Sequence, residues 1–491
     1  MNEVISESIN NPQPVLDIKS KEESKLRQKF HFFGPGCLIY GILFTVCLYK
    51  GFHGITMPVL GVATMILFML GFRQLAITTK TSALFYFAAW EILSVSSCLT
   101  GSRVLVFFNT CGIILLILSF LFTHFCNTKK WGFGKYLQEI FLAPILSVGY
   151  CRHLYMDAAA YFESGAKEKD KNSKAKYIWL GIFISIPLLL VIVSLLVSAD
   201  AVFRNLFEEL FSNIRMPERP FYLLLLIVLG IVGSYSLLSY FAEGKIADET
   251  AEKKKWEPIT AITFLSIITI VYLIFSVIQI SYLFIGGFRL PDGYTYAGYA
   301  REGFFQLLFV CMINLVIVLI CIARFRENRI LKIIMTVFSC CTFIMIASSA
   351  MRMILYVQTY QLTFLRVLVL WALVVISLLL IGCMVTVYRT DFPLFSYAMV
   401  VVTVLYIGFS LARPDYWIAK YNLSQEELAD QAYLYTLSAD AVPAMEEAGV
   451  FLEEADTEYA WRNPWTEYED MGILDFNFSY YRAGKILSIR K

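Results

Sequence analysis

Long apolar runs recur along the whole chain and constrain its fold more than any other feature of the sequence. A helix needs about twenty apolar residues to cross a bilayer, because the hydrocarbon core offers no partner for an open backbone amide. Eleven runs of about this length are present: Phe33–Tyr49, Ile55–Gly71, Ala83–Leu99, Val104–Cys126, Tyr177–Ser198, Phe221–Ala242, Ile259–Phe284, Phe304–Ala323, Ile333–Val357, Val367–Val387 and Leu394–Leu411.

The composition agrees with a membrane protein. Of the 491 residues, 58% are hydrophobic and only 16% are charged, whereas a soluble domain carries about 25% charged residues. We therefore expect the lipid bilayer to be the main partner. The net charge of +2 gives no reason to expect nucleic acid as a second one.

Basic residues alternate between the connections and so predict the orientation. Lys and Arg are retained in cytoplasmic loops during insertion, and they concentrate in every second connection. That set holds Arg73, Lys80, Lys129, Lys130, Lys135, Lys167, Lys169, Lys171, Lys174, Lys176, Lys253–Lys255, Arg324, Arg326, Arg329 and Lys332. The N-terminus is then cytoplasmic. With eleven spans, the acidic segment after Leu411 lies outside the cell.

The fold class that follows is all-α, a polytopic transmembrane helical bundle of about eleven spans with a small extracytoplasmic, helical C-terminal tail. Five segments are predicted: a cytoplasmic polar N-tail (1–32), spans one to four (33–126), a basic cytoplasmic loop (127–176), spans five to eleven (177–411) and the acidic tail (412–491). The first span is short and carries Pro35 and Gly36. The orientation depends on whether it crosses.

One apolar stretch is too short to be a span. Ile140–Tyr150 is interrupted by Pro144 and has basic residues on both sides, so we predict a helix that lies in the cytoplasmic interface. In the tail, Pro443 suits the first turn of a helix.

Known catalytic and metal-binding patterns are missing. The sequence has no GxSxG, HExxH, Walker A or GxGxxG motif, its four histidines have no paired spacing, and its eleven cysteines include no CxxC. We therefore predict no metal, no cofactor and no catalytic residue. The interpretation leans towards a protein that is not an enzyme.

Glu91 lies near the middle of the third run, where an ionisable side chain costs at least ~2.5 kcal/mol. It is a candidate intramembrane proton or ion site. The alternative is a structural carboxyl that is protonated or hydrogen-bonded to a neighbouring helix.

A second group of candidate residues lies at the predicted outer face. Arg352, Tyr356 and Tyr360 end the ninth run, and Thr363 and Arg366 open the tenth. Two arginines beside so short an outer turn run against the basic-residue bias. They could bind a phosphate or carboxylate, which guanidinium groups suit, or pair with acids of the tail.

Three further candidates belong to the segment Tyr294-Thr-Tyr-Ala-Gly-Tyr-Ala-Arg-Glu-Gly303 at the same face. Tyr296, Tyr299 and Arg301 could line a pocket or anchor the helix among the headgroups. Asp200, after the fifth run, is either a helix cap or a counter-charge for one of the arginines.

Six ordered motifs resemble a family of multi-pass bacterial membrane proteins, the related domain-of-unknown-function 4153 and 4173 groups. They are Ser198-Ala-Asp-Ala-Val-Phe203, Tyr299-Ala-Arg-Glu-Gly-Phe-Phe305, the stretch Arg352–Arg366, Pro414-Asp-Tyr-Trp-Ile-Ala-Lys-Tyr-Asn422, Leu437-Ser-Ala-Asp-Ala-Val-Pro443 and Phe476-Asn-Phe-Ser-Tyr-Tyr-Arg-Ala483. The resemblance runs from about the fifth span to the C-terminus. Gln361 departs from it, because the family pattern has Gly before Leu-Thr.

The resemblance implies a bacterial cytoplasmic membrane protein but brings no established activity. Every matching motif falls at the predicted outer face. The leading hypothesis is therefore sensing, scaffolding or regulation there, with an extracytoplasmic protein or an anionic ligand as partner. A small-molecule or lipid transporter and a membrane-embedded transferase are the alternatives.

Overall fold

The computed structural model describes residues 25–128, 131–164, 220–243, 246, 255–281, 303–425, 431–450 and 471–488. Within these residues the regular structure is helical, and the only β pairing is an isolated bridge between Trp256 and Phe325. The predicted all-α class is confirmed. It follows from the runs of apolar side chains, which leave the backbone to bond within its own helix.

The helices are numbered in chain order. They are α1 Lys25–Gln28, α2 Phe30–Leu48, α3 Thr56–Gln74, α4 Leu84–Leu99, α5 Arg103–Phe125, α6 Phe133–Val148, α7 Cys151–Ser164, α8 Pro220–Val228, α9 Ser234–Ala242, α10 Pro258–Gln279, α11 Phe304–Arg324, α12 Arg329–Tyr360, α13 Phe364–Tyr388, α14 Leu394–Leu411, α15 Pro414–Leu423, α16 Gln431–Leu434, α17 Val442–Glu447 and α18 Phe478–Ser488. A 3₁₀ turn, Thr81–Ala83, precedes α4, and another, Ala439–Ala441, precedes α17. A π-helical segment, Leu229–Gly233, joins α8 to α9. Pro443 lies in the first turn of α17, where it was predicted.

Ten helical segments of the described residues are long and apolar enough to cross a membrane. They coincide with ten of the eleven predicted runs, and the chain is an integral, multi-pass membrane protein. The remaining run, Tyr177–Ser198, lies outside the described residues. The described residues on either side of it, Tyr161 and Tyr222, lie at opposite ends of the bundle: Tyr161 contacts Phe30, and the Tyr222 hydroxyl donates to the Leu48 carbonyl at 3.4 Å.

The helices place the connections in two groups. The basic end carries Arg73, Lys80, Lys255, Arg326 and Lys332. The opposite end, called the tail end, carries the connections 49–55, 100–102 and 361–363 together with the described parts of the tail. The predicted alternation of basic residues therefore corresponds to a real separation in space.

Buried amide side chains join the spans inside the bundle. Asn109 of α5 donates to the Ser97 hydroxyl at 3.1 Å and accepts from the Ser410 hydroxyl at 2.8 Å. Asn314 of α11 accepts from the Tyr272 hydroxyl at 3.0 Å and donates to the Thr342 hydroxyl at 3.1 Å. Such bonds tie helices together in lipid, where apolar surface supplies little driving force.

One helix pair approaches unusually closely. A Cβ on Gly41 of α2 would lie 2.8 Å from the Ile231 backbone nitrogen, and one on Gly230 would lie 2.8 Å from the Gly41 Cα. Both glycines are required because the backbones are in contact. The π-helical segment lies at this crossing.

The stretch predicted to form an interfacial helix, Ile140–Tyr150, begins within α6 and ends two residues after it, and α6 is not among the ten candidate spans. The helix buries Tyr136 and Ile140 and exposes the opposite face. Tyr136 contacts Phe395, which places this part of α6 at the basic end. Its exposed apolar residues are Leu137, Phe141, Ile145, Leu146 and Val148.

Candidate functional site

Arg352 is buried near the tail end of α12, with 8% of its surface exposed. Its Nη2 donates to the Gln279 side-chain oxygen at 3.3 Å, and the Ser348 hydroxyl donates to the same oxygen at 2.6 Å. Gln279 belongs to α10, so the guanidinium links two spans. A neutral amide acceptor of this kind was not predicted, because glutamine adds no charge to an apolar run.

Gly303, from the Tyr299–Phe305 motif, lies directly against Arg352. Its φ of +103° falls in the left-handed region that favours glycine, and a Cβ there would lie 3.0 Å from the Arg352 Nη1. The adjoining Phe304 carbonyl accepts from the Ser349 hydroxyl at 3.3 Å. The structure therefore joins two motifs that are about fifty residues apart in the sequence.

Arg366 is held by the end of α12. Its Nη1 donates to the Tyr360 carbonyl at 2.6 Å and also to the Gln361 carbonyl, and its guanidinium lies 4.3 Å from the centre of the Tyr356 ring. Last-turn carbonyls attract a cation because they are the negative end of the helix dipole. These contacts give Arg366 the role of a C-terminal helix cap.

The turn between α12 and α13 keeps a glycine-type backbone without a glycine. Gln361 has φ +67° and ψ 177°, a region occupied almost only by glycine. Gln361, which stands where the family pattern has Gly, therefore adopts a backbone conformation that glycine favours. Thr363 is the residue before α13, without a capping bond from its hydroxyl, and Tyr360 packs on Tyr356 at 4.9 Å between ring centres.

Side chains of the tail bond to the backbone of this turn. Fully buried Asn422 of α15 accepts from the Leu362 N–H at 2.8 Å and donates to the Leu362 carbonyl at 2.9 Å. The Tyr433 hydroxyl accepts from the Phe364 N–H at 3.1 Å. Two segments of the tail therefore bond to the connection between α12 and α13 and to the start of α13.

Asn477 bonds the tail to two further connections at the tail end, residues 49–55 and residues 100–102. Its amide nitrogen lies 2.7 Å from the His53 carbonyl oxygen, 3.2 Å from that of Ser97 and 2.9 Å from that of Thr100. The preceding Phe476 carbonyl accepts from the Ile55 N–H at 2.9 Å. One fully buried side chain therefore contacts both the connection between α2 and α3 and the end of α4.

Asp440 of the Leu437–Pro443 motif completes the contact. One of its oxygens accepts from the Thr100 hydroxyl at 2.5 Å, and the other accepts from the Gly101 N–H at 3.1 Å and from the Ser479 hydroxyl. Within the tail, Asp415 accepts from the N–H and hydroxyl of Ser438, at 3.2 and 2.6 Å. We call Asp415, Asn422, Asp440 and Asn477 the docking residues.

The surroundings of the two docking carboxyls, Asp415 and Asp440, raise the pKa of each. Burial raises the pKa of Asp440 above its usual range, and hydrogen bonds from Ser479, Thr100 and Gly101 and the charge of Arg413 oppose that rise. Burial also raises the pKa of Asp415, in part opposed by Ser438, and the nearby Asp440 adds to the rise.

Glu91 lies apart from this cluster, in the middle of α4. Its Oε2 occupies the space beside Gly61 of α3, where a Cβ would lie 2.3 Å away. That oxygen has no hydrogen-bond partner among the residues that the structure describes. The other four candidates, Asp200, Tyr296, Tyr299 and Arg301, lie outside the described residues.

In the part of the chain that the structure describes, no three His, Cys, Asp or Glu side chains form a group that could hold a metal ion.

Residues 87–448 match the family described as Domain of unknown function (DUF4153). The chain belongs to this family. No curated protein and no solved structure matches the chain.

The DUF4153 region begins in α4, well before the fifth predicted span, and ends after α17. It therefore contains Glu91, Arg352, Arg366 and three of the docking residues. Asn477 lies beyond its end, although it bonds to Ser97 and Thr100 inside it.

Proposed function

We propose that this DUF4153 protein senses or regulates at the extracytoplasmic face of a bacterial cytoplasmic membrane, with the tail as its binding element. The observation that carries the proposal is that buried Asn422, Asp440 and Asn477 bond the tail to three connections between spans, residues 49–55, 100–102 and 361–363. A segment bonded in this way can transmit a binding event to the ends of several spans.

The charge distribution supports the orientation. The basic end holds Arg73, Lys80, Lys255, Arg326 and Arg329, in its connections or in the adjoining helix turns, and such residues are retained in the cytoplasm during insertion. The tail end then faces outward. On the tail, Trp417 is 56% exposed and Ile473 is 88% exposed, which leaves aromatic and apolar surface for an extracytoplasmic protein. An anionic ligand would be the alternative partner.

A transporter is the second candidate, and Glu91 is the observation that favours it. A mid-span carboxyl with an unpartnered oxygen beside a glycine could exchange a proton or bind a cation. Transport also needs a cavity that reaches this carboxyl. Two cavities at the basic end, one beside Lys255 and one beside Phe30, are not lined by Glu91.

A membrane-embedded transferase ranks third. It would need cationic side chains that are open to a lipid-linked substrate. The geometry gives little support, because Arg352 is bonded to a neighbouring span and Arg366 caps its own turn.

A deletion strain of the source organism separates these functions. It would be complemented with the wild-type protein, with Asn477→Ala or with Glu91→Gln, and immunoblots of membranes would establish equal amounts. A sensor predicts altered transcripts of envelope genes and unchanged lipids in the deletion strain, corrected by wild type and Glu91→Gln but not by Asn477→Ala. The opposite pattern of rescue would favour transport, and an altered lipid profile would favour the transferase.

A further inference from the structure

A cavity of about 160 Å³ opens at the basic end, between the ends of α11, α12 and α13. Its floor is made of apolar side chains that are at least nine-tenths buried. They are Cys321, Phe325, Leu331, Met335 and Val387.

The rim of the cavity is cationic. Lys255, Arg326 and Lys332 line it together with one acid, Glu327, and a second acid, Glu257, lies beside Arg326, so three positive charges face two negative ones and the rim keeps a net positive charge. Lys332 bonds to Glu327 at 2.8 Å, and Arg326 lies 3.3 Å from Glu257. The Arg326 pair is well exposed, at 57% and 69% for its two side chains, and an exposed pair of this kind is weak. Arg326 can therefore exchange its acid for another anion at little cost.

Aromatic residues mark the depth of the cavity in the membrane. The Trp256 side chain is 58% exposed, and its ring packs on Phe325 of the floor. The backbone N–H of Trp256 donates to the Arg324 carbonyl at 2.8 Å. Tyr388 is 59% exposed beside Val387. Exposed Trp and Tyr at the end of a span lie at the level of the lipid headgroups.

We propose that this cavity binds the headgroup of an anionic phospholipid. The cationic rim meets the phosphate, and the buried apolar floor meets the glycerol carbons and the first part of an acyl chain. Basic cavities between helix ends favour anionic lipids for this reason. The site lies at the opposite end of the bundle from the docking residues, so it does not depend on the function proposed for the tail.

Thermal unfolding of the full-length protein in non-ionic detergent tests the proposal. The probes are dioleoylphosphatidylglycerol, dioleoylphosphatidylcholine and glycerol 3-phosphate, each over a range of concentrations. A ligand that binds the folded state raises the unfolding temperature. We expect a rise with phosphatidylglycerol and none with the other two probes.

Arg326→Gln combined with Lys332→Gln should weaken the response to phosphatidylglycerol at least about tenfold in lipid concentration. Arg73→Gln combined with Arg152→Gln makes the same charge change at the same end, away from the cavity, and should keep the wild-type response. Unfolding without lipid establishes that both variants fold, and the single variants replace the double one if it does not. The proposal would be overturned if phosphatidylcholine or glycerol 3-phosphate raised the unfolding temperature of wild type as much as phosphatidylglycerol does. It would also be overturned if the Arg326/Lys332 variant responded to phosphatidylglycerol as wild type does.

Discussion

The side-chain amide of Asn477 donates to the carbonyl oxygen of Thr100 at 2.9 Å and joins residues 377 positions apart. Neither group is charged, and the acceptor is backbone. The bond nevertheless decides where the tail lies, because a buried carbonyl at the end of a helix needs a partner.

Asn477→Ala should destabilise the docked tail by about 2–4 kcal/mol, because it leaves the His53, Ser97 and Thr100 carbonyls short of a donor in a buried place. Thermal unfolding and limited proteolysis of the purified protein would measure the loss. Arg482→Ala changes an exposed residue of α18, the helix that begins directly after Asn477, and should behave like wild type. Equal stability of the two variants would show that Asn477 does not hold the tail.

Acidification should strengthen docking through Asp415 and Asp440. Their pKa values are raised in the folded protein, so each carboxyl contributes most stability below its unfolded pKa, at about pH 4. That contribution is lost as the pH rises through the folded pKa. We measure unfolding temperatures from about pH 7 down to about pH 4. Over this range the unfolding temperature of wild type should rise relative to that of the double variant Asp415→Asn/Asp440→Asn.

The exposed Asp391 at the basic end provides the control for this pH series. Asp391→Asn should keep the wild-type pH dependence. An identical dependence in wild type and in the double variant would mean that these buried carboxyls do not contribute to it.

Gln361→Gly should be more stable than Gln361→Ala by about 1–2 kcal/mol. Both changes remove the same side chain, but only glycine adopts φ +67° and ψ 177° without strain. Chemical denaturation of the two variants in the same detergent gives the difference directly. A more stable alanine variant would indicate that the turn has another shape.

Gly41→Ala should cost about 2 kcal/mol or more, because its Cβ would meet the backbone of Ile231 and force the two helices apart. Gly408→Ala is the matched control, since a Cβ there meets nothing within 4 Å. Alanine favours a helix over glycine by up to about 1 kcal/mol, so the control should be neutral or slightly stabilising. If unfolding shows similar effects at both sites, the close approach of α2 is not supported.

Hydropathy was sufficient to predict most of the bundle. The fourth run, Val104–Cys126, differs from α5 by one residue at each end. The ninth run begins four residues after the start of its helix, Arg329–Tyr360, because Arg329 and Lys332 interrupt an apolar pattern without interrupting a helix. The π-helical segment Leu229–Gly233 was not predicted, since it arises at a contact between two helices.

The candidate site was less predictable. Arg352 and Arg366 were identified as exceptions to the charge rule, but their acceptors are a neutral glutamine and backbone carbonyls, which carry no pattern of their own. The docking residues lie in motifs that pointed to the tail end. Their partners are backbone groups of His53, Thr100 and Leu362, and only the folded chain brings these together.

Labelling of single cysteines in intact cells tests the central claim, that the tail is extracytoplasmic and docked on the bundle. The background is a variant with its eleven native cysteines replaced, and the reagent is a membrane-impermeant maleimide. Ile473→Cys, at an 88% exposed position, should be labelled in intact cells. Ala441→Cys, at a fully buried tail position, should react only after denaturation, and Lys255→Cys only after lysis. Labelling of Lys255→Cys in intact cells, with Ile473→Cys protected until lysis, would contradict the account.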